Sequence, residues 1–114
     1  MNNRLLSSSS IAGTDVKNLV GENLGEVKEL MINTNTGKVE YAVLSFGGFL
    51  GMGDKYFAVP WNAFNVDRVE EELILDASKE RLENAPGFDK DNWPSTASPY
   101  FKSVSDYYGR SAVL

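Results

Sequence analysis

The residues that first suggest chemistry are four glycines between Gly47 and Gly53, in the segment GGFLGMGDKYFAVPW that ends at Trp61. A phosphate-binding loop reads G-x-x-x-x-G-K-[ST], and Gly48 and Gly53 have the required spacing. Asp54 occupies the position of the phosphate-binding lysine, however, and its carboxylate would repel a phosphate. The segment also leads into a predicted strand, whereas phosphate sites use a helix N-terminus. The sequence therefore predicts a wide hairpin connection and not a nucleotide site.

The composition excludes most catalytic machinery, because the chain contains neither histidine nor cysteine. Ser-His-Asp and Cys-His catalysis are therefore impossible, and a zinc site would need an unusual first shell made only of carboxylates. The acidic residues Asp67, Glu70, Glu71 and Glu72 lack the alternating ligands and central glycine of an EF-hand, and they predict a solvated turn. We therefore expect a protein that is not an enzyme and has no catalytic residues, no metal and no cofactor.

The charge and hydropathy patterns restrict the partners and the location. The net charge is −5, and the 11 lysines and arginines are scattered along the chain. A nucleic-acid surface needs clustered basic residues, so nucleic acid is not expected as the main partner. Apolar runs such as Tyr41 to Leu44 are far too short for a membrane span. The absence of cysteine fits a reducing compartment, and we expect a cytoplasmic protein.

The length of 114 residues predicts one domain, and the turn signals divide it into about six short strands, which is typical of a small β-barrel or sandwich. The predicted strands cover residues 11–16, 24–33, 38–46, 56–61, 64–66 and 73–76.

The strand over residues 24–33 has an ambiguous period. Leu30 and Ile32 share a parity that Val27 does not, which predicts a bulge near Lys28 and Glu29. A helical period also fits this segment, but the polar, glycine-ended turn that follows favours a strand in a hairpin.

The strand over residues 38–46 is apolar on both faces, which is typical of a central strand. Pro60 cannot donate a hydrogen bond to a sheet, so the next long strand should end near Trp61. Ser78 is predicted to cap a helix over residues 79–84, which would stop before Pro86 and Gly87.

The C-terminal tail is polar but rich in aromatic residues. Residues 88–109 hold six of the thirteen aromatic residues of the chain. Disordered tails are poor in aromatic residues, so we expect this one to lie on its own barrel or on a partner subunit, with a helical turn over residues 103–108. The predicted organisation is a flexible lead-in over residues 1–7, a barrel over residues 8–85 and a packed tail over residues 86–114.

Several phrases of the sequence resemble the PRC-barrel family. They include residues 11–16, 21–27, 36–39 and 41–46, the long phrase over residues 47–61, and the tail phrases over residues 82–88, 93–94 and 107–109. The resemblance implies a small β-barrel of about six strands. Related barrels form the cytoplasmic part of the photosynthetic reaction-centre H subunit and the C-terminal domain of a 16S rRNA maturation factor, where they dock proteins and tune electrostatics. The resemblance supplies no catalytic residues.

These observations predict a non-catalytic module for protein–protein interaction or assembly, acting as a homodimer with an unidentified protein partner. The candidate interaction surface consists of the apolar and aromatic residues Phe49, Leu50, Met52, Trp93, Tyr100 and Phe101. The three loop residues either close one end of the barrel or form a contact patch. The alternatives are a barrel that binds a small molecule, or an accessory factor for ribosome maturation or for a photosynthetic or electron-transfer complex.

Overall fold

A single seven-stranded β-sheet dominates the computed structural model, which describes residues 6–46, 55–67, 72–89, 91–95 and 99–109. The strands are β1 (Asp15–Lys17), β2 (Asn23–Asn33), β3 (Lys38–Phe46), β4 (Lys55–Pro60), β5 (Phe64–Asp67), β6 (Glu72–Leu75) and β7 (Phe88–Asp89). Their order in the sheet is β5-β6-β1-β2-β3-β4-β7. Neighbouring strands are antiparallel except β1 and β6, which are parallel.

The sheet curls around one buried cluster, in which side chains from five strands meet. This interior cluster contains Val16, Leu24, Val27, Ala42, Leu44, Phe46, Phe57, Val59, Leu73 and Leu75. Three residues outside the strands, Ile11, Ala77 and Leu82, complete it. A flat sheet could not bring side chains of β4 and β6 together across three intervening strands. The predicted mainly β fold is therefore confirmed, and among the described strands β7 is the one that the sequence pattern did not predict.

The bulge predicted in β2 is confirmed. The register runs from Val27 opposite Leu44 to Glu29 opposite Val43, so Lys28 is the extra residue. The bulge changes the parity of the strand, which lets Val27 and Leu30 both face the interior cluster. The helical alternative for this segment is wrong.

Strand β3 is buried on both faces, as its pattern predicts. Ala42 and Leu44 point into the interior cluster, whereas Tyr41 and Val43 belong to a second buried cluster on the outer face. The adjacent strand β4 repeats this arrangement, since Ala58 joins the outer cluster. The outer face of β3 and β4 therefore needs its own cover.

Two sequence predictions at strand ends are wrong. The strand predicted over residues 11–16 begins only at Asp15. Residues 8–11 form a short helix, α1 (Ser8–Ile11), because the hydroxyl of Ser7 accepts a hydrogen bond from the backbone N–H of Ser10. Trp61 does not belong to β4. It starts a 3₁₀-helix (Trp61–Ala63) directly after Pro60, and its half-buried ring packs against the interior cluster.

Helix α2 (Lys79–Glu83) agrees with the prediction, since the hydroxyl of Ser78 accepts a hydrogen bond from the N–H of Arg81. The tail then returns to the sheet. Tyr56 lies opposite Phe88 where β4 pairs with β7, and α3 (Tyr100–Tyr108) packs on the outer face. This helix is longer than the predicted turn over residues 103–108. The division of the chain between residues 85 and 86 stays a prediction.

Substitution of Gly25 tests how closely β2 and β3 approach. Gly25 has φ of 106°, and a Cβ atom there would lie 2.1 Å from the carbonyl oxygen of Ser45. Because this neighbour is backbone, the strands must separate to admit a side chain. We expect Gly25→Ala to lower the free energy of unfolding by about 2–4 kcal/mol, measured by chemical denaturation with tryptophan fluorescence.

Gly13→Ala is the matched control. Gly13 has φ of 86°, and a Cβ atom added there would meet nothing within 4 Å. Only the left-handed backbone then opposes alanine, so the expected loss is about 1 kcal/mol. Equal losses in the two variants would contradict a steric role for Gly25.

Candidate functional site

Six aromatic rings form a continuous row on the outer face of the sheet. In order they are Trp93, Tyr56, Phe88, Tyr100, Phe101 and Tyr41. The centroids of successive rings are 5.0 to 5.9 Å apart. Trp93 also contacts Phe88 directly, with 5.0 Å between centroids. These distances are typical of favourable aromatic pairs, so the rings hold one another in place. We call this set the aromatic row.

The strand pattern places the first rings of the row. Tyr41 in β3 and Tyr56 in β4 alternate with interior residues, so both point outward. Phe88 pairs with Tyr56 across the β4–β7 ladder. The tail then supplies Trp93 after β7, and Tyr100 and Phe101 at the start of α3. Local strand parity and the return of the tail together assemble the row.

The hydroxyl of Tyr100 links the tail to the barrel. It accepts a hydrogen bond from the backbone N–H of Ala58 at 3.1 Å and donates one to the carbonyl of Pro86 at 3.0 Å. Burial raises the pKa of Tyr100, and the hydrogen bond from Ala58 partly opposes this shift. The phenol therefore stays protonated near neutral pH, as its donation to Pro86 requires.

One face of α3 is seated on the sheet and the other is exposed. Val104 is fully buried in the outer cluster, and the hydroxyls of Ser105 and Tyr41 are 3.4 Å apart. On the exposed face, Lys102 and Asp106 form an ion pair at 3.0 Å. The helix is therefore amphipathic, with its apolar side against β3 and β4.

The C-terminal end of α3 is attached to α2 through Arg81. Its guanidinium donates to the carbonyl of Tyr107 and lies 4.5 Å from the centre of that ring, while the Tyr107 hydroxyl donates to the Arg81 carbonyl. The neighbouring Tyr108 hydroxyl is buried and has no hydrogen-bond partner within the described part of the chain. Burial is the main cause that raises the pKa of Tyr108.

The predicted surface residues have different positions. Trp93 is exposed over 40% of its surface at one end of the aromatic row. Tyr100 and Phe101 are half-buried and contact their own barrel. Phe49, Leu50 and Met52 lie outside the described residues, so that part of the prediction stays a prediction.

Sequence reasoning missed Tyr56 and Phe88 as members of the surface. The parity of β4 carried a signal for Tyr56, since it alternates with the apolar residues Phe57 and Val59, which belong to the interior cluster. No comparable signal existed for Phe88, because its position depends on the two-residue strand β7.

A second apolar surface lies on the turn between β1 and β2. Leu19 and Val20 are 71% and 81% exposed there. The buried Asn18 holds the turn: its side-chain oxygen accepts from the N–H groups of Val20 and Glu22, and its amide donates to the carbonyl of Ala77. The turn is therefore rigid although its tip is apolar.

The described residues contain no cluster of three or more acidic side chains that could hold a metal ion. Glu72, from the acidic run, forms an ion pair with Lys17 at 3.0 Å. Asp89 is exposed, and its carbonyl accepts a hydrogen bond from the N–H of Asn92. Within the same ranges, the helices are all too short or too polar to cross a membrane.

Two tyrosine-to-phenylalanine substitutions on α3 should have opposite effects. Tyr100→Phe removes a bridging hydroxyl and leaves the Ala58 N–H without that acceptor, so the free energy of unfolding should fall by about 1–3 kcal/mol. Tyr108→Phe removes a buried hydroxyl with no partner in the described ranges, so it should be neutral or stabilising by up to about 1 kcal/mol. Thermal and chemical denaturation of both variants test this.

The pH dependence of the free energy of unfolding gives the control for Tyr108→Phe. Burial raises the pKa of Tyr108 in the folded state, so stability is independent of this group below the ordinary tyrosine pKa of about 10 and falls as the pH rises above that value. Tyr108→Phe should reduce this alkaline loss. Unchanged alkaline sensitivity in Tyr108→Phe would show that the pKa of Tyr108 is not raised, and a lower stability would show that its hydroxyl has a stabilising partner.

Comparison with known proteins places this architecture in a family. The family model for the PRC-barrel domain matches residues 4–82, from the lead-in to α2. A search of curated proteins finds no match. The matched segment includes β1 to β6, whereas β7, Trp93 and α3 follow it. The matched segment covers more than half of the sequence, and the chain belongs to the PRC-barrel domain family.

Proposed function

We propose that this chain is a non-catalytic protein-binding module, and that Trp93 is the centre of its binding surface. The observation that supports the proposal is the position of Trp93 in the aromatic row. Its ring is fixed against Tyr56 and Phe88, yet 40% of the residue is exposed. Tryptophan and tyrosine are enriched among the residues that contribute most to binding at protein interfaces.

A fixed aromatic surface favours binding for a physical reason. Ordering a large side chain at an interface costs about 0.5–1.5 kcal/mol when it is mobile in the free protein. The ring contacts of Trp93 supply this order before the partner arrives. The neighbouring exposed residues Asp91 and Asn92 supply polar groups for the rim of an interface.

The proposal includes a role without catalysis and a cytoplasmic location. The absence of histidine and cysteine from the whole sequence supports the first part, because the commonest general base and the thiolate nucleophile are missing. The absence of cysteine also supports a reducing compartment.

Trp93→Ala should weaken partner capture. We expect a captured protein to bind the variant about 30-fold more weakly, because truncation of a central aromatic residue costs about 2 kcal/mol or more. Affinity purification from the cells that produce the protein identifies the partner, and titration of that purified partner measures the change.

Val66→Ala is the matched control. Val66 is 41% exposed, close to the value for Trp93, but it lies in β5 at the opposite edge of the sheet. It should retain full affinity. A partner that is lost equally with both variants, or kept with both, would argue against a surface centred on Trp93.

We also propose that the module is a homodimer, on the basis of the apolar residues in the glycine-rich segment over residues 47–53. Light scattering should give about twice the chain mass of 12.6 kDa for the wild type and a lower mass for the double variant Phe49→Ser/Leu50→Ser. A monomer at every concentration would contradict the homodimer and leave the Trp93 surface to be judged by partner capture.

A further inference from the structure

The outer face of β3 and β4 is an apolar surface that the chain covers with its own tail. Tyr41, Val43 and Ala58 are buried there beneath α3. The family match ends at residue 82, so the covering helix lies beyond the matched barrel. The barrel and its cover are thus two separate parts of the sequence.

Helix α3 is weak when it is considered alone. It has nine residues, fewer than the 12–15 that an isolated helix needs in water. Its sequence, YFKSVSDYY, is dominated by residues of low helix propensity, and its N-cap, Pro99, makes no side-chain capping bond. Docking on the sheet and the bonds between Tyr107 and Arg81 therefore supply most of its stability, and the helix should unfold when it leaves these contacts.

The connection between β7 and α3 is long enough for the helix to leave independently. Residues 90–99 separate the two elements, yet the rings of Phe88 and Tyr100 are 5.5 Å apart. Because the ring of Trp93 stays on Tyr56 and Phe88, the free part is residues 94–99, and six extended residues reach about 20–22 Å. The helix can therefore move away from the sheet while β7 stays paired with β4.

We propose that the outer face of β3 and β4 is a docking groove for an amphipathic helix of a partner protein, and that α3 is a built-in competitor for that groove. This inference rests on the proposed protein-binding function and extends the Trp93 surface beneath α3. The groove is continuous with that surface, because Phe88 contacts both Trp93 and Tyr100.

The seated helix defines the chemistry of the partner. We expect the partner helix to carry two adjacent aromatic side chains, as at Tyr100 and Phe101, followed three residues later by an aliphatic side chain, as at Val104. The first aromatic residue carries a hydroxyl that accepts from the Ala58 N–H. Such a partner must compete with a tethered helix whose effective concentration is of roughly millimolar order.

The test uses the full chain and a fluorescently labelled synthetic peptide with the sequence of residues 99–109 as the probe. In the wild type the tethered α3 should keep the probe out. Val104→Ala weakens only the tethered copy, so the variant should bind the probe about tenfold more tightly in fluorescence polarisation. Asp106→Asn, on the exposed face of α3, is the control and should match the wild type.

Trypsin cleavage after Lys102 supplies a second readout, because a protease cuts within a helix only when that helix opens. Cleavage should be about tenfold faster in Val104→Ala and in Tyr100→Phe than in the wild type. Tyr100→Phe also replaces Val104→Ala in the probe experiment if circular dichroism shows that the latter has lost its barrel.

Three results would overturn the proposal. Variants that stay folded but do not bind the probe would show that the face is not a helix groove. Equal binding to wild type and variants would show that α3 does not compete. A dimer formed by exchange of α3 between copies would make the face a self-association site. Loss of partner capture in Trp93→Ala, together with any of these results, would leave the proposed function standing.

Discussion

The structure depends on one constraint, which is that β3 and β4 are apolar on both faces. Strands in an antiparallel sheet commonly bury one face and expose the other. Here Ala42, Leu44 and Phe57 fill the interior, while Tyr41, Val43 and Ala58 need cover on the outside. The interior face is satisfied by curling of the sheet. The outer face can be satisfied only by chain from elsewhere, and the aromatic tail meets that need.

The division into barrel and cover explains why some of the fold could be predicted and some could not. Strand β3, the bulge at Lys28 and the cap at Ser78 are local features, because parity, hairpin chemistry and capping act over a few residues. The prediction of the first strand over residues 11–16 was wrong for a local reason as well. The serines before Ile11 bond with the backbone and with one another to form α1, which outweighed the apolar alternation that followed.

The candidate site was harder to predict because its contacts join distant parts of the chain. The aromatic content of the tail indicated that it lies on a surface, but the composition did not say which one. The bond from Ala58 to the Tyr100 hydroxyl spans 42 residues, and the mutual bonds of Arg81 and Tyr107 span 26. Such contacts follow from tertiary packing. The outward position of Tyr56 was available from strand parity, whereas the two-residue strand β7 had no pattern long enough to detect.

The two parts of the cover, Trp93 and α3, are held by different contacts, and this difference links their stability to the proposed binding. Trp93 follows β7, and its ring rests on Tyr56 and Phe88, so its position depends on β4 and β7 and not on α3. The helix adds Tyr100, Phe101 and Val104 at the other end of the row. In the proposed binding mode, a partner that first contacts Trp93 meets a ring that is already ordered, and the weaker helix beyond it is the part that can leave the sheet. The ring contacts of Trp93 are made to β4 and β7, whereas α3 is too short to be stable away from the sheet, and this difference sets the order in which the two parts can open.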